Sequence, residues 1–272
     1  MLEVNKIYCE DHLITMSKMP DDFVDLTVTS PPYDNLRDYK GYTFQFEKMA
    51  MELYRVTKPG GVLVWVVNDS TVDGSETLTS CKQKIFFREE CGFNIHDTMI
   101  FGKDNPMPND PKQNRYFQAF EFMFVMSKGL PNKCNYIKER CWNYGKRSGT
   151  GTARKPDGTF REDRKIKRKG AYCKYEKPRS NIWLYTIAVN ITTKDILSYQ
   201  HPAIFPEQLA ADHIYSWSNE GDLVYDPMAG SGTVPKMAIK MKRKWIASEI
   251  SQEYCDIAEK RIKREQSILK LF

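Results

Sequence analysis

The strongest constraint on how this chain can fold is an alternation. Short apolar, β-rich runs at residues 5–9, 24–29, 61–67, 93–101, 119–126, 222–225 and 244–248 are interleaved with helical patterns at 46–56, 77–90, 206–216, 234–241 and 252–266. Strands that are apolar along their whole length must be covered on both faces, and helices between successive strands supply that cover. The expected architecture is α/β, with a doubly wound, mostly parallel sheet. The runs 93–101 and 119–126 have no helical pattern between them, so they are expected to pair as an antiparallel hairpin at the sheet edge.

Two of the strands run into unusual segments. Thr29-Ser30-Pro31-Pro32-Tyr33 closes the run 24–29, and Asp226-Pro227-Met228-Ala229-Gly230-Ser231-Gly232-Thr233 follows the run 222–225. Ligands in open α/β sheets bind outside the carboxyl ends of strands, which is where both segments fall. Consecutive prolines fix φ and so set the direction of the Pro31 carbonyl; with Ser30 Oγ it makes two acceptors aimed at one place. A plain Ser-Pro-Pro turn with a packing tyrosine is the competing reading. In the second segment Gly230 and Gly232 permit a tight turn and close backbone approach, and the helix that follows turns its N–H groups toward an anion. A phosphate-binding loop is disfavoured, because no Gly-Lys-Ser/Thr follows. Glu249, ending the next strand, is placed to accept hydrogen bonds from ribose hydroxyls, or else is a solvated strand-end carboxylate.

Together these residues resemble the catalytic and cofactor motifs of the DNA amino-methyltransferases, which methylate exocyclic nitrogens of cytosine or adenine. The catalytic motif comes first and the cofactor motif last, the order of the group usually called beta. The resemblance implies a Rossmann-like methyltransferase fold with a seven-stranded, circularly permuted sheet. Residues 1–127 would form the catalytic half, 128–193 an inserted target-recognition region, and 194–272 the cofactor-binding half. It implies S-adenosyl-L-methionine as cofactor, bound by Asp226, Pro227, Gly230, Gly232, Thr233 and Glu249. Phe205 and Pro206, in His201-Pro202-Ala203-Ile204-Phe205-Pro206, would wall its methionine end. Asp11 matches the acidic position that meets the cofactor's adenine, and it equally suits a helix N-cap.

Ser30, Pro31, Pro32 and Tyr33 then become the catalytic set. An exocyclic amine is a poor nucleophile while its lone pair is delocalised, and acceptors for both N–H groups favour the pyramidal, reactive form. Tyr33 would stack on the base, which a duplex can present only when the nucleotide is flipped out. Ser before Pro-Pro-Tyr, and Leu36-Arg37-Asp38-Tyr39 after it, are commoner in the cytosine-N4 members of the family, with adenine N6 the alternative. A catalytically silent DNA-binding relative and an RNA or protein methyltransferase are the readings from other classes.

Charge points the same way. Residues 128–179 hold 17 Lys/Arg against 5 Asp/Glu in a chain whose net charge is +6, so the rest of the molecule is acidic in balance. Such a concentration suits a polyanion, here double-stranded DNA. Tyr136, Trp142, Tyr144, Phe160, Tyr172, Tyr175, Trp183 and Tyr185 are too many aromatics for a solvated linker, and Arg147, Arg164, Lys165, Lys167, Arg168 and Lys169 are the candidate phosphate contacts. A cognate restriction endonuclease is a partner the sequence leaves open. The seven cysteines form no CxxC pair and the four histidines are scattered, so reduced structural thiols and no metal are expected. The longest apolar stretch, residues 62–67, is far short of a membrane span, and residues 1–11 carry acids where a leader would be basic; a soluble, cytoplasmic protein is expected.

Overall fold

The computed structural model describes residues 2–32, 44–108, 114–146, 157, 159, 172–188, 191–193, 195–201 and 204–269. The chain divides into two compact units, one of Met1–Asn135 with Asn181–Phe272, the other Tyr136–Ser180.

In chain order the larger unit contains β1 (Lys6–Cys9), α1 (His12–Ser17), β2 (Val24–Thr29), α2 (Phe46–Val56), β3 (Thr57–Val67), the small hairpin β4 (Thr71–Val72) and β5 (Ser75–Glu76), α3 (Thr79–Glu89), β6 (Asn94–Lys103) and β7 (Phe120–Ser127). The smaller unit contributes β8 (Lys138–Arg140) and β9 (Glu176–Pro178). The larger unit resumes with β10 (Ile182–Tyr185), a 3-10 helix (Ile196–Gln200), α4 (Glu207–Trp217), β11 (Leu223–Asp226), α5 (Thr233–Lys240), β12 (Lys244–Glu249) and α6 (Gln252–Leu269). All seven expected strands and all five expected helices are present; most ends move by no more than two residues, but β3 starts four residues earlier than expected and α6 ends three later.

The main sheet runs β1-β12-β11-β2-β3-β7-β6-β10, and β7 alone is antiparallel to its neighbours. The sheet therefore has eight strands rather than seven. The β6–β7 pair is antiparallel as expected, yet it is not at the edge: β10 lies outside β6 and parallel to it. Sequence reading passed over β10 because it is only four residues long and buries one face, with Trp183 and Tyr185 inward and Ile182 and Leu184 exposed. It lies inside the segment 128–193 expected as an insert, and the smaller unit closes before it, at Ser180.

The reason for a central β3 is plain from its side chains. Val62 to Val67 are all essentially inaccessible, so the strand is apolar on both faces. Leu63, Trp65 and Val67 pack with Met16 of α1 and Met19 just after it, Met49 and Leu53 of α2, and Phe87 of α3. Trp65 meets Phe87 edge to face at 5.0 Å, and its indole N–H donates to Gln83 Oε1 at 2.8 Å, so a buried ring keeps its polar atom satisfied. At the amino ends of the parallel strands Lys133 bridges Asp25 (3.0 Å) and Asp222 (2.6 Å), clamping β2 to β11 at the end opposite the site. Among the described residues no helix is long and apolar enough to cross a membrane.

In the smaller unit β8 and β9 pair antiparallel, and Tyr144 meets Tyr175 edge to face at 5.3 Å. Trp142 is 93% exposed there, with Tyr136 and Tyr172 also open to solvent.

Candidate active site

β2 and β11 are neighbours and parallel, but the chain leaves them in opposite directions, through α2 to β3 and through α5 to β12. This is the topological switch point of the sheet, where a crevice opens between diverging connections. Ser30 follows β2 and Asp226 ends β11. The two ends are tied together: Thr29 Oγ1 donates to Asp226 Oδ1 at 3.1 Å across 197 residues of sequence. The same carboxylate oxygen accepts the Met228 N–H at 3.1 Å, which starts the glycine turn.

Above this junction lies a cavity of about 650 Å³, within the range that holds a cofactor-sized ligand. Ser30, Pro32, Phe205, Pro206, Asp226, Pro227, Gly230, Thr233 and Glu249 line it. Segments from opposite ends of the chain thus surround one volume. Its floor is unusually acidic. Burial pushes the Asp226 carboxyl up to about 7, and the nearby Glu249 adds to that rise. Burial also raises Glu249, against the backbone N–H groups of Ser251 (2.9 Å) and Gly230 (2.8 Å) that its two oxygens accept. A cation entering this cavity would find two carboxyl groups that burial alone leaves poorly compensated.

A family model described as DNA methylase matches residues 24–260. The chain belongs to the N6/N4 DNA methylase family. The orphan methyltransferase M.BamHII of Bacillus amyloliquefaciens is 53% identical over 245 residues, covering 89% of this chain and 90% of that protein. The type II methyltransferase M.Cfr9I of Citrobacter freundii is 26% identical over 309 residues, covering 98% and 91%. Among solved structures, the cytosine-N4-specific PvuII DNA methyltransferase superposes with a TM-score of 0.70 at 18% identity, covering 97% of this chain and 91% of that one. M1.HpyAVI in complex with S-adenosylmethionine superposes at 0.61 and 20%, covering 94% and 98%. The molecule is an S-adenosylmethionine-dependent DNA methyltransferase with a Rossmann-like fold.

The methyltransferase uses its two motif glycines differently. Gly230 has φ +50°, and a Cβ there would stand 2.8 Å from His201 Nε2, a residue of the cavity wall. Gly232 has φ +78° and caps α5, and its Cβ would meet Ala258 of α6 at 2.8 Å. The first glycine lets the loop lie against the wall; the second lets a helix pack behind it. Asp11, Pro31 and Gly232 sit beside lining residues rather than among them. Asp11 caps α1, with Oδ1 accepting Leu13 N–H at 2.7 Å, and the next residue, His12, is the one at the cavity; burial holds His12 below its ordinary pKa. Tyr33, Leu36 to Tyr39, Arg147, Arg164, Lys165, Lys167, Arg168 and Lys169 lie outside the described residues.

Several wall residues were not anticipated. Tyr254 lines the cavity and stacks edge to face on His201 at 4.3 Å; it lies in the first turn of α6, just after Glu249 ends β12, a position that could have flagged it. Lys103 and Glu121, ion-paired at 2.7 Å, come from the ends of β6 and β7 and line the far side. Only the antiparallel pairing brings them together, and single-strand patterns do not predict that. Asp69, two residues past β3, caps α3 by accepting Ser80 N–H (2.8 Å) and Oγ–H (2.6 Å).

Proposed function

We propose that the enzyme transfers the methyl group of S-adenosylmethionine to the exocyclic N4 of a flipped-out cytosine in double-stranded DNA. The observation that carries this reading is the Thr29–Asp226 hydrogen bond, which holds the Ser-Pro-Pro segment and the cofactor turn against one cavity. In this reading the methionine end of the cofactor lies between the glycine turn and Phe205-Pro206, with Glu249 receiving its ribose hydroxyls and Asp11 near its adenine. Ser30 Oγ and the Pro31 carbonyl accept the two amine hydrogens, Pro32 fixes the turn, and Tyr33 stacks on the base. The amine then attacks the sulfonium methyl in line: the N–C bond forms as the S–C bond breaks, leaving S-adenosylhomocysteine and a protonated methylamine that sheds its proton. Positioning supplies most of the acceleration.

Cytosine is favoured by Ser30 in the first motif position and by the likeness to a protein named as cytosine-N4-specific. Residues 1–127 and 194–272 act as catalytic and cofactor halves, and within the expected insert 128–193 the recognition role falls to Tyr136–Ser180, since β10 belongs to the main sheet. The exposed Trp142 and the lysine and arginine content of that segment suit DNA. Arg147, Arg164, Lys165, Lys167, Arg168 and Lys169 are its phosphate contacts. The 53%-identical relative is named an orphan, which favours action without a cognate restriction endonuclease. DNA treated with purified enzyme and cofactor, digested to nucleosides and resolved by mass spectrometry, should yield N4-methylcytosine. N6-methyladenine in its place would overturn the base assignment and leave the fold and chemistry standing.

A further inference from the structure

Behind the glycine turn lies a buried ionic cluster. Arg261 of α6 is fully buried, an environment a guanidinium tolerates only when its donors are met. Its Nε donates to Asp195 Oδ2 at 2.9 Å and Nη2 to Glu207 Oε1 at 2.8 Å. Nη1 donates to the Ser231 carbonyl at 2.5 Å, to Ser231 Oγ at 2.9 Å and, more weakly, to Thr233 Oγ1 at 3.3 Å. Lys236 adds a second cation, 2.7 Å from Glu207 Oε1 and 3.6 Å from Asp195 Oδ2. Burial by itself would raise both carboxyls, but the Arg261 hydrogen bond and charge hold Asp195 below its ordinary value, and Lys236 with Thr193 does the same for Glu207. Both are therefore ionised at neutral pH, so the buried cluster sets two cations against two anions, with a further, largely exposed cation, Arg264, 4.0 Å from Asp195 Oδ1.

The segments it joins give it a consequence beyond packing. Ser231 and Thr233 line the cavity from the glycine turn. Glu207 and Asp195 belong to the facing wall, where Glu207 follows Pro206 and Asp195 lies three residues past Thr192, both of which line the cavity. A planar fork with donors in fixed directions sets a distance between the groups it bridges, which a flexible ammonium does not.

We propose that Arg261 is a positioning residue for S-adenosylmethionine: it fixes the spacing between the glycine turn and the 195–207 wall without being among the residues that line the cavity. This rests on reading that cavity as the cofactor site. The test is calorimetric affinity for S-adenosylmethionine, with KM and kcat, in Arg261→Lys and Arg261→Met. Affinity should fall in the order Arg, Lys, Met, by at least tenfold for Met, while kcat at saturating cofactor stays within about threefold and DNA affinity within twofold. A purely structural arginine would lower the melting midpoint and leave the affinity of the folded fraction unmoved. Cofactor affinity within twofold of the parent in folded Arg261→Met overturns the proposal. Should that variant not fold, Asp195→Asn keeps shape and helix cap while removing one charge; at least threefold weaker binding supports the assignment, and unchanged binding overturns it. Gly232→Asp separates the two levels: cofactor binding that survives it removes the cavity reading itself.

Discussion

The two sides of the cavity are built on different principles. On the cofactor side nearly every polar group is braced: Glu249 holds Gly230 and Ser251, Asp226 holds Met228, and Arg261 reaches across to Ser231, Asp195 and Glu207. On the base side, among the described residues, Ser30 to Pro32 are held by the fixed φ of two prolines and by the Thr29–Asp226 hydrogen bond of the residue before them. A cofactor that binds tightly in one pose benefits from a site already formed, since little ordering is left for the ligand to drive. A flipped base arrives by leaving its stack, and a short segment with φ fixed by proline offers its acceptors already in place. The difference predicts that damage on the two sides will read out in different constants.

The largest effect should come from Gly232→Asp, in which S-adenosylmethionine binding is lost in calorimetry. At φ +78° a residue with a side chain is strained, and its Cβ would overlap Ala258 of α6, so the turn must move. The damage arrives through the backbone and α6, and not, as the motif alone suggests, by filling the cofactor's space. Unchanged affinity in a folded variant would separate the glycine turn from cofactor binding.

Ser30→Ala should break the other side alone. Loss of one preorganised acceptor is typically worth about 3 kcal/mol, on the order of a hundredfold in rate. Methyl transfer should slow by about that factor with cofactor affinity unchanged. A wild-type rate would remove Ser30 from the acceptor role, and a parallel loss of cofactor affinity would show that the two sides are not independent.

How much of this was legible in the sequence follows the same division. The strands and helices of the sheet are regular enough in period and long enough for local pattern to define them. The motif residues could be assigned to one site because strand ends in an open sheet converge. What escaped depends on partners far along the chain. Arg261 reads as one of several cations on an amphipathic helix, and only packing shows it fully buried against the turn. β10 is too short to announce itself, and its partner β6 lies across the intervening smaller unit in sequence. Asp69 caps a helix that begins ten residues later, beyond the reach of any capping pattern.

The pH dependence of cofactor binding should sharpen the comparison, because the acidic floor belongs to the cofactor side. With Asp226 pushed up to about 7, the free enzyme holds its proton below that value. A sulfonium cation interacts better with the ionised form, so affinity should rise with pH by at most about tenfold per unit below 7 and level off above it. The stability of the cofactor-free protein should run the other way. A carboxyl whose pKa is raised by folding contributes stability below its unfolded value near 4, and loses it as pH rises through about 7. Melting without cofactor should therefore occur at lower temperature at pH 8 than at pH 6, with the gap narrowed by saturating cofactor. In Asp226→Asn both trends should flatten. A pH-independent affinity in the parent would mean that the cation does not approach this carboxyl.

The smallest expected effect tests the side-chain hydrogen bond that joins the sides. Thr29→Val keeps the shape of a side chain that is 1% exposed and removes only its donor to Asp226. Asp226 keeps the Met228 N–H, so the glycine turn should hold and cofactor affinity at pH 8 should stay within about twofold. The lost hydrogen bond is worth about 1 kcal/mol, and because it fixes Ser30 relative to the cofactor, that amount should appear as roughly a fivefold fall in kcat. Thr29→Ser, which restores the hydroxyl, should recover most of it. Removing a donor to the carboxylate also raises Asp226 further, so the pH at which affinity levels off should move upward in Thr29→Val and return in Thr29→Ser. If kcat is untouched while that midpoint moves, the bond tunes the carboxyl without aligning the two motifs, and the independence of the sides is greater than the shared hydrogen bond implies.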